Sequence, residues 1–306
     1  MLTSCIGRQF SLMRYSCVKL KVQTVRCVHH DINNADEVSR REAVLYYHWP
    51  YCARRCSYCN FNKYINKFVD HKRMTECLVK ETRTLIQLSG IERIKSIFFG
   101  GGTPSLALPD TVHKVIEAVK QSTYFDKSSE VTLEANPTHL ETSRLKGFYD
   151  AGVNRLSIGV QALCDDDLKL LGRDHCVQDS LRCLSEAKHI YDSKISVDLI
   201  FGRPGQTLEK WYQELNQILE MEVNHVSLYQ LTVERGTLLH KWVENGEVIL
   251  PDNDTMADLY TMAVETMDSC GLSRYEVSNF AKQGFESIHN QAYWQGLQYI
   301  GVGPGT

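Results

Sequence analysis

Residues 43–59 read AVLYYHWPYCARRCSYC and connect a strand-like run to a group of closely spaced cysteines. The run AVLYYHW is apolar and aromatic, as buried β-strands usually are. Cys52, Cys56 and Cys59 follow it in the spacing C-x3-C-x2-C. A closed tetrahedral metal site needs four ligands, so this group is one ligand short. The stretch therefore predicts a strand whose carboxyl end carries an incomplete set of thiol ligands.

The overall composition is that of a globular protein. The 306 residues are 43% hydrophobic and 23% charged, and this length suits one large α/β domain or a domain of about 200 residues with an appendage. The sequence contains no apolar run of the roughly eighteen residues that a membrane-spanning helix needs, so we expect no transmembrane segment. The net charge of −3 gives no reason to expect nucleic acid as a partner.

The N-terminal residues differ from the rest in charge. Residues 1–30 contain five Lys or Arg residues and no Asp or Glu, with Ser and apolar residues between them. This pattern resembles a mitochondrial transit peptide and lacks the compact apolar stretch of a secretory signal. We therefore expect residues 1–40 to be a transit peptide outside the fold, and the protein to be mitochondrial. The alternative is a disordered basic N-terminus without a targeting role.

The cysteine count also bears on the compartment. An odd total of eleven cysteines at scattered spacings favours a reducing environment over a disulfide framework. Outside the leader and the C-x3-C-x2-C group, we expect the remaining cysteines to be small buried hydrophobic residues. These are Cys77, Cys164, Cys176, Cys183 and Cys270.

Short β-rich runs alternate with longer amphipathic stretches along the chain. The runs are AVLYYHW (43–49), KSIFF (95–99), EVTLEA (130–135), NRLSIGV (154–160), KISVDLIF (194–201) and HVSLYQLT (225–232). The helical candidates span residues 70–88, 110–121, 178–191 and 208–221. Strand–helix alternation of this kind indicates a parallel sheet covered by helices. Six units are too few for an eight-stranded barrel, so we expect an α/β fold that is either a partial barrel or an open doubly wound sheet.

Polar or glycine-rich residues follow the predicted strands. Parallel strands bring their carboxyl ends to one rim, where α/β proteins bind their ligands. The cysteines follow the first strand, and GGGTPS (100–105) follows the second. Glu134 and Asn136 close the third strand, and Gln161 closes the fourth. Asp198 and GRPGQT (202–207) belong to the fifth. We therefore predict a ligand site at this rim. The three glycines can admit a ligand close to the backbone, or they can serve tight packing of strand against helix.

Three interpretations of the cysteine group remain open on the residues alone. His48 could complete a Cys3His zinc site, or the thiols could be reactive or incidental. Alternatively, three thiolates could hold a [4Fe-4S] cluster, which leaves one iron free to bind a small molecule.

The motif and its position resemble the radical S-adenosylmethionine (SAM) superfamily, which favours the cluster. In that superfamily the methionyl amine and carboxylate of SAM chelate the free iron, and the reduced cluster cleaves SAM to a 5′-deoxyadenosyl radical. FFGGGTPSL (98–106), VTLEANP (131–137), VDLIFGRPGQT (197–207) and HNQAYW (289–294) are similar to the HemW-like heme chaperones, in the anaerobic coproporphyrinogen oxidase-like branch. This resemblance runs from about residue 43 to the C-terminus. It implies a partial (β/α)6 TIM-like barrel of the radical SAM type.

The resemblance also implies roles for individual residues. Cys52, Cys56 and Cys59 would ligate the cluster. The SAM contacts would be Tyr46, Tyr58, Gly101, Gly102, Thr103, Glu134, Gln161, Arg173 and Asp198, with Gln230 on the sixth strand as a further candidate.

Two features separate the chaperone-like group from its oxidase relatives. Oxygen-independent coproporphyrinogen oxidases carry a further cysteine two positions after the third, where this chain has Phe61. In HemW-like proteins the H-N-x-x-Y-W element is linked to heme handling, so His289 is a candidate heme ligand. The alternative is that His289 and Asn290 form local hydrogen bonds while Tyr293 and Trp294 fill a core.

The family pattern divides the chain. It implies a radical SAM barrel over residues 41–235 and the start of a HemW-type C-terminal region over residues 236–306. Because the chain ends at GVGPGT (301–306), inside a family motif, we expect that C-terminal extension to be truncated. Arg203 in GRPGQT stands where a neutral residue is more usual, and the sequence offers no role for it.

Three functional hypotheses follow. The first is a heme chaperone that binds heme, a [4Fe-4S] cluster and SAM, and passes heme to an acceptor protein without coproporphyrinogen oxidase activity. Its partners would be heme, an acceptor (a respiratory protein is one candidate) and an electron donor for the cluster. The second is a radical SAM enzyme acting on a porphyrin or another hydrophobic ring by oxidative decarboxylation or methyl transfer. The third is a scaffold that binds neither heme nor SAM.

Overall fold

A computed structural model describes residues 41–66 and 68–306 of the chain. The predicted transit peptide, residues 1–40, lies outside the described residues. The strands are β1 (Glu42–Trp49), β2 (Tyr51–Cys52), β3 (Tyr64–Ile65), β4 (Arg93–Gly101), β5 (Tyr124–Ala135), β6 (Arg155–Gln161), β7 (Ile195–Phe201), β8 (His225–Gln230), β9 (Ser273–Arg274), β10 (Asn279–Ala281) and β11 (Gln298–Val302).

Most of the longer helices cover one face of the sheet. They are α1 (His71–Ser89), α2 (Pro109–Ser122), α3 (His139–Thr142), α4 (Leu145–Asp150), α5 (Asp165–Leu170), α6 (Val177–Ile190), α7 (Leu208–Leu219), α8 (Leu238–Glu244), α9 (Asn253–Ser269) and α10 (Ile288–Trp294). Asp70 begins α1 by accepting the N–H of Arg73 at 2.9 Å, and Gly90 ends it in the left-handed conformation. None of the helices in the described ranges has the length and apolarity needed to cross a membrane.

Nine strands form one sheet in the order β11-β1-β4-β5-β6-β7-β8-β10-β9. The six predicted strands, β1 and β4 to β8, are parallel and lie in chain order. Because parallel crossovers are right-handed, this order winds the sheet in one direction and has no point at which the order reverses. The partial barrel is therefore confirmed, and the doubly wound alternative is wrong.

The predicted elements match the structure closely, except at the edges of the sheet. The four predicted helices end within two residues of the observed helices, and β5 begins six residues earlier than predicted. Residues after 235 add strands at both edges: β10 pairs antiparallel with β8, and β11 pairs parallel with β1. These short strands were not predicted, because two to five residues carry little periodic signal.

Side chains alternate between two chemically different faces of the sheet. Leu45, Leu133 and Val197 belong to one buried apolar cluster with Leu78 and Ile86 of α1. Residues between the core positions point to the opposite face, which we call the inner face. On β5 to β8 the inner-face residues are mostly polar, namely Glu130, Thr132, Glu134, Arg155, Ser157, Ser196, Asp198, His225 and Ser227. The core therefore lies under the helices, and the inner face is left for polar chemistry.

The expectation for the scattered cysteines is partly wrong. Cys183 is buried, but Cys77, Cys164 and Cys270 are exposed. Cys77 shows the reason, because it lies on the outer side of α1, whose buried residues include Thr75 and Leu78.

Candidate cofactor site at the carboxyl rim of the sheet

A cleft of about 450 Å³ opens at the carboxyl ends of the parallel strands. Every predicted site residue except Tyr46 and His289 lines it. The lining residues among the predicted set are Cys52, Cys56, Tyr58, Cys59, Gly101, Gly102, Thr103, Glu134, Gln161, Arg173, Asp198 and Gln230. The spacing of motifs along the chain therefore becomes proximity in space, as parallel strand order requires.

The cysteine loop is anchored at its ends and its middle. Strand β2 pairs with β3, and the N–H of Tyr64 donates to the carbonyl oxygen of Pro50 at 2.7 Å. In the middle, Ser57 donates through its N–H to Leu171 at 3.0 Å and through Oγ to Leu170 at 2.7 Å. These bonds present the three thiols to the cleft on a short, fixed segment.

A hydrogen-bond donor faces each of the three sulfurs. Thr103 Oγ1 lies 3.3 Å from Cys52 Sγ. Arg173 Nη1 lies 3.6 Å from Cys56 Sγ, and Lys63 Nζ lies 3.0 Å from Cys59 Sγ. Two of these donors, Arg173 and Lys63, are cations.

This donor set fits an iron–sulfur cluster better than a single metal ion. In the part of the chain that the structure describes, no three His, Cys, Asp or Glu residues converge closely enough to hold one ion. Thiolates of a [4Fe-4S] cluster bind different irons and need not converge on one point. His48 does not complete a zinc set, because its Nε2 lies 2.8 Å from the carbonyl oxygen of Asn62 and its Nδ1 lies 3.3 Å from Tyr46 Oη.

The glycine run packs against the cysteine loop and also faces the cleft. Gly102 donates its N–H to the carbonyl oxygen of Trp49 at 2.7 Å. A Cβ at Gly102 would lie 2.8 Å from that same oxygen. Gly101 has φ +104°, and a Cβ there would lie 2.6 Å from the His48 ring. Close packing therefore requires these glycines, and the N–H of Gly101 is left to bond the carboxyl group of Glu134.

Arg173 is held by backbone and side-chain acceptors on neighbouring strands. Its Nη2 donates to the carbonyl oxygen of Gly159 at 3.0 Å and to Oδ1 of Asn136. A Cβ at Gly159 would lie 3.2 Å from that nitrogen, so glycine makes room for the guanidinium. The result is a fixed positive charge between the cysteine loop and the strand ends.

Two carboxyl groups form the opposite, acidic part of the cleft. Asp198 is buried and accepts hydrogen bonds from Ser157 Oγ at 2.6 Å and Ser196 Oγ at 3.0 Å. Burial raises the pKa of Asp198 despite these donors. Burial, and then the charge of Asp198, raise the pKa of Glu134 to about 8, while the N–H of Gly101 acts in the opposite direction. The pair disfavours additional negative charge and favours a cationic ligand.

Gln161 adopts a conformation that is costly for a non-glycine residue, and Arg203 supports it. Gln161 has φ +71° at the end of β6. Arg203 Nη1 lies 3.5 Å from the Gln161 carbonyl oxygen and 3.0 Å from Glu214 Oε1. Arg203 Nε also lies 3.5 Å from Asp167. Arg203, which had no role on the sequence alone, ties the strand end to α5 and α7.

Tyr46 and His289 lie on the inner face away from the cleft lining. Tyr46 stacks against Phe98 at 6.1 Å and Tyr299 at 6.3 Å between ring centroids. His289 is buried, with Nδ1 3.0 Å from Ser96 Oγ and Nε2 3.0 Å from Tyr293 Oη. Burial lowers the pKa of His289 to about 3. Both ring nitrogens of His289 therefore lie within hydrogen-bond distance of a hydroxyl group.

The H-N-x-x-Y-W element agrees in part with the expectation that His289 and Asn290 form local hydrogen bonds while Tyr293 and Trp294 fill a core. His289 and Asn290 do form local hydrogen bonds, Asn290 Nδ2 to Tyr275 Oη at 3.3 Å. Tyr293 and Trp294 do not fill a core, because 49% and 66% of their surfaces are exposed. They lie at the C-terminal end of α10, beyond the buried turn.

Lys63 and Tyr229 also line the cleft, although sequence reasoning missed both. A cation within four residues of a candidate cysteine ligand is a usable signal for Lys63. For Tyr229 the only signal is strand alternation, which places it on the same face of β8 as His225 and Ser227.

The comparisons with known proteins agree with this arrangement. A model of the Radical SAM superfamily matches residues 46–218. The chain is 51% identical over 285 residues to radical S-adenosyl methionine domain-containing protein 1, mitochondrial, of Danio rerio, covering 92% of this chain and 64% of the relative. It is 38% identical over 262 residues to heme chaperone HemW of Bacillus subtilis, covering 85% of this chain and 69% of that protein. The chain thus spans less than two thirds of the animal relative's length.

Among solved structures, coproporphyrinogen III oxidase (HemN) from Escherichia coli is similar with a TM-score of 0.72. The match covers 90% of this chain and 67% of that chain at 19% sequence identity. At that identity the similarity concerns the fold.

Proposed function

This chain belongs to the radical SAM superfamily, in its HemW-like group, and from that premise we propose that it is a mitochondrial heme chaperone. It would bind a [4Fe-4S] cluster, SAM and heme, and pass heme to an acceptor protein. The observation that carries the cofactor part is the set of three thiols at one cleft, each faced by its own hydrogen-bond donor. The relatives' names support the heme part, since one of them is a heme chaperone.

The cleft residues have distinct tasks in this proposal. When bound and reduced, the cluster would supply the electron that cleaves the sulfonium bond of SAM. Cys52, Cys56 and Cys59 would hold the cluster through their thiolates. Arg173 carries the positive charge suited to the SAM carboxylate, and its fixed position favours one orientation of that group.

The acidic wall suits the other polar groups of SAM. Glu134 and Asp198 can accept hydrogen bonds from the amine or the ribose hydroxyls, and a positively charged ligand would stabilise their ionised forms against the burial that raises their pKa values. Gln161 adds an amide at the same rim. Tyr58 and Gln230 line the same cleft and are proposed as further SAM contacts.

An aromatic surface on the inner face supports a place for heme. We define it as Tyr46, Phe98, Tyr293 and Tyr299, whose rings are in contact, together with the exposed Trp294, which follows Tyr293 at the end of α10. Ring contacts run from Phe98 to Tyr46 to Tyr299, and from Tyr299 to Tyr293 at 5.8 Å. Flat aromatic faces suit a porphyrin, and a phenol oxygen can ligate heme iron in some proteins. In this proposal His289 supports the surface from beneath, through Tyr293.

Phe61 favours the chaperone over the oxidase. Its side chain is 65% exposed and lines the cleft at the position where the oxidases carry a fourth cysteine. A phenyl ring supplies neither a thiolate nor a transferable proton. The enzyme alternative remains an outcome of the experiment below.

The compartment is part of the proposal. The animal relative is named mitochondrial, and the basic composition of residues 1–30 supports the same destination. Fusion of residues 1–40 to a fluorescent protein tests it, and a diffuse cytosolic signal would contradict it.

The experiment that tests the function measures cofactor uptake and SAM cleavage together. The 306-residue chain is reconstituted anaerobically with iron and sulfide, then mixed with SAM and dithionite. 5′-Deoxyadenosine is assayed with heme, with coproporphyrinogen and with neither, while the heme Soret band is followed. Stable heme uptake with little SAM cleavage supports the chaperone, and turnover stimulated by coproporphyrinogen would establish the enzyme instead.

A matched pair of triple variants controls for the cysteines. Substituting Cys52, Cys56 and Cys59 by Ala should abolish iron uptake. Substituting the exposed Cys77, Cys164 and Cys270 by Ala should leave it unchanged. Equal iron contents in the two variants would contradict the assigned cluster ligands.

A further inference from the structure

Lys63 makes a close approach to one of the three proposed cluster ligands. Its Nζ lies 3.0 Å from Cys59 Sγ and 2.7 Å from the Cys59 carbonyl oxygen, with the Phe61 carbonyl oxygen at 3.5 Å. The ammonium group is thus held by the cysteine loop itself. Both its position and its direction follow from that loop.

The backbone on either side of Lys63 is anchored. The next residue, Tyr64, donates its N–H to Pro50 at 2.7 Å and begins β3. The preceding residue, Asn62, bonds His48 Nε2 through its carbonyl oxygen at 2.8 Å. The backbone that carries the Lys63 side chain is therefore fixed beside Cys59.

The charge of Lys63 is not neutralised by a carboxylate. Within residues 41–66 and 68–306, Lys63 forms no ion pair with Asp or Glu. Its side chain is half-buried, so water screens the charge only in part. The Cys59 carbonyl oxygen, at 2.7 Å, is a neutral acceptor, and the next acceptor of the ammonium group is the sulfur of Cys59, at 3.0 Å.

The donors that face the other two sulfurs are either neutral or more distant. Cys52 receives a neutral hydroxyl from Thr103, at 3.3 Å. Cys56 receives the guanidinium of Arg173 at 3.6 Å, and that group also donates to Gly159 and Asn136. Lys63 is therefore the closest cationic donor to the three thiols.

We infer that Lys63 is a positioning residue that raises the reduction potential of the cluster through Cys59, an inference that rests on the proposed function. Reduction adds one negative charge to the cluster. An N–H···S bond from a cation stabilises that added charge more than the oxidised state. The chain would in this way make its cluster easier to reduce by a cellular electron donor.

The experiment is a redox titration of the reconstituted full chain, followed by electron paramagnetic resonance. In Lys63→Met the ratio of reduced to oxidised cluster at a given solution potential should fall about tenfold, equivalent to about 59 mV for one electron. Lys63→Arg keeps the charge and should stay within about threefold of the wild type. Arg55→Met is the matched control, since Arg55 is an exposed cation in the same loop and bonds none of the sulfurs in the described structure.

The outcomes separate this inference from the proposed function. An unchanged potential in Lys63→Met, or an equal shift in Arg55→Met, would overturn the role of Lys63 alone. Wild-type protein that takes up no cluster would overturn both proposals. If Lys63→Met retains no iron, Lys63→Gln and Lys63→Arg decide by iron content. Iron retained by Lys63→Arg and lost by Lys63→Gln supports the role of the charge. Iron lost by both variants, or retained by both, contradicts it.

Discussion

Ser96 Oγ lies 3.0 Å from Nδ1 of His289, and this buried hydrogen bond joins β4 to α10 across 193 residues of sequence. Glu130 on β5 accepts the N–H groups of Ile288 and His289, both at 3.0 Å, at the start of the same helix. The H-N-x-x-Y-W element is therefore attached to the inner face through its first residues. Its aromatic residues are left at the surface.

His289→Ala should destabilise the protein by about 2–4 kcal/mol, because it removes one buried and one part-buried hydrogen bond and opens a cavity beside Phe98. Urea unfolding measures the change. His189→Ala, at an exposed position on α6, is the control and should cost under about 0.5 kcal/mol. Wild-type stability combined with lost heme binding in His289→Ala would instead indicate an axial ligand.

The cost of His289→Ala should shrink as the pH falls. Burial holds the pKa of His289 near 3 in the folded state, against about 6.5 in the unfolded chain. Below pH 6.5 the unfolded chain therefore binds the extra proton, and wild-type stability falls by up to about 1.4 kcal/mol per pH unit from this residue. The alanine variant lacks this contribution. Urea unfolding at pH 7.5, 6 and 5 tests the trend, and a pH-independent difference would disprove it.

Arg203→Met should destabilise the protein by about 3 kcal/mol or more, because it leaves the buried carboxylate of Glu214 without its partner. Adding Glu214→Leu should recover part of that loss, since the unpaired charge is then gone. Lys114→Met removes an exposed ion pair with Asp110 and should cost under about 0.5 kcal/mol. Thermal unfolding of the four proteins compares them. A double variant less stable than Arg203→Met would contradict this explanation.

Glu134→Gln should weaken SAM binding, most strongly at high pH. With a pKa of about 8, Glu134 gains its negative charge between roughly pH 7 and 9, so the affinity of the wild type for the sulfonium cation should rise over that interval. We expect a loss of roughly tenfold at pH 8.5 and a smaller one at pH 6.5. Calorimetric titration of the reconstituted protein measures both. Glu76→Gln, on the exposed side of α1, should change neither value.

In the SAM-free protein, Glu134→Gln should raise the free energy of unfolding at high pH. A folded pKa above the unfolded value of 4.5 means that stability from the neutral carboxyl is present at low pH and is lost as the pH rises through 8. Glu134→Gln should therefore be more stable than the wild type at pH 8.5 and closer to it at pH 5. Lower stability at pH 8.5 would show that Glu134 is ionised without cost.

Removal of aromatic faces should weaken heme binding. Tyr299→Ala and Trp294→Ala, at 44% and 66% exposure, should each lower heme affinity roughly tenfold without a large change in stability. Phe68→Ala is the control, since Phe68 is 91% exposed and does not belong to the aromatic surface. Soret titration of the three variants tests the assignment. Equal affinities in all three would place heme elsewhere.

The predicted strands and helices follow from local periodicity. β7 illustrates this, because its seven residues are all buried and apolar residues dominate its sequence. β9 and β10 illustrate the limit, since their two and three residues become strands only by pairing with each other and with β8. Pairing partners at long sequence separation are not encoded in any local pattern.

The sequence by itself determined the cysteine spacing, the order of six strand–helix units and the chemical groups at each strand end, because parallel strands in chain order must share one rim. Only the tertiary structure decided which donors face the sulfurs, that Arg203 supports Gln161 and that the ring nitrogens of His289 are both engaged. Some of these contacts join residues far apart in the chain, such as Ser96 with His289 and Gln161 with Arg203, and the others depend on side-chain orientation. Their geometry depends on how the sheet curves and on which loop residues its packing holds in place.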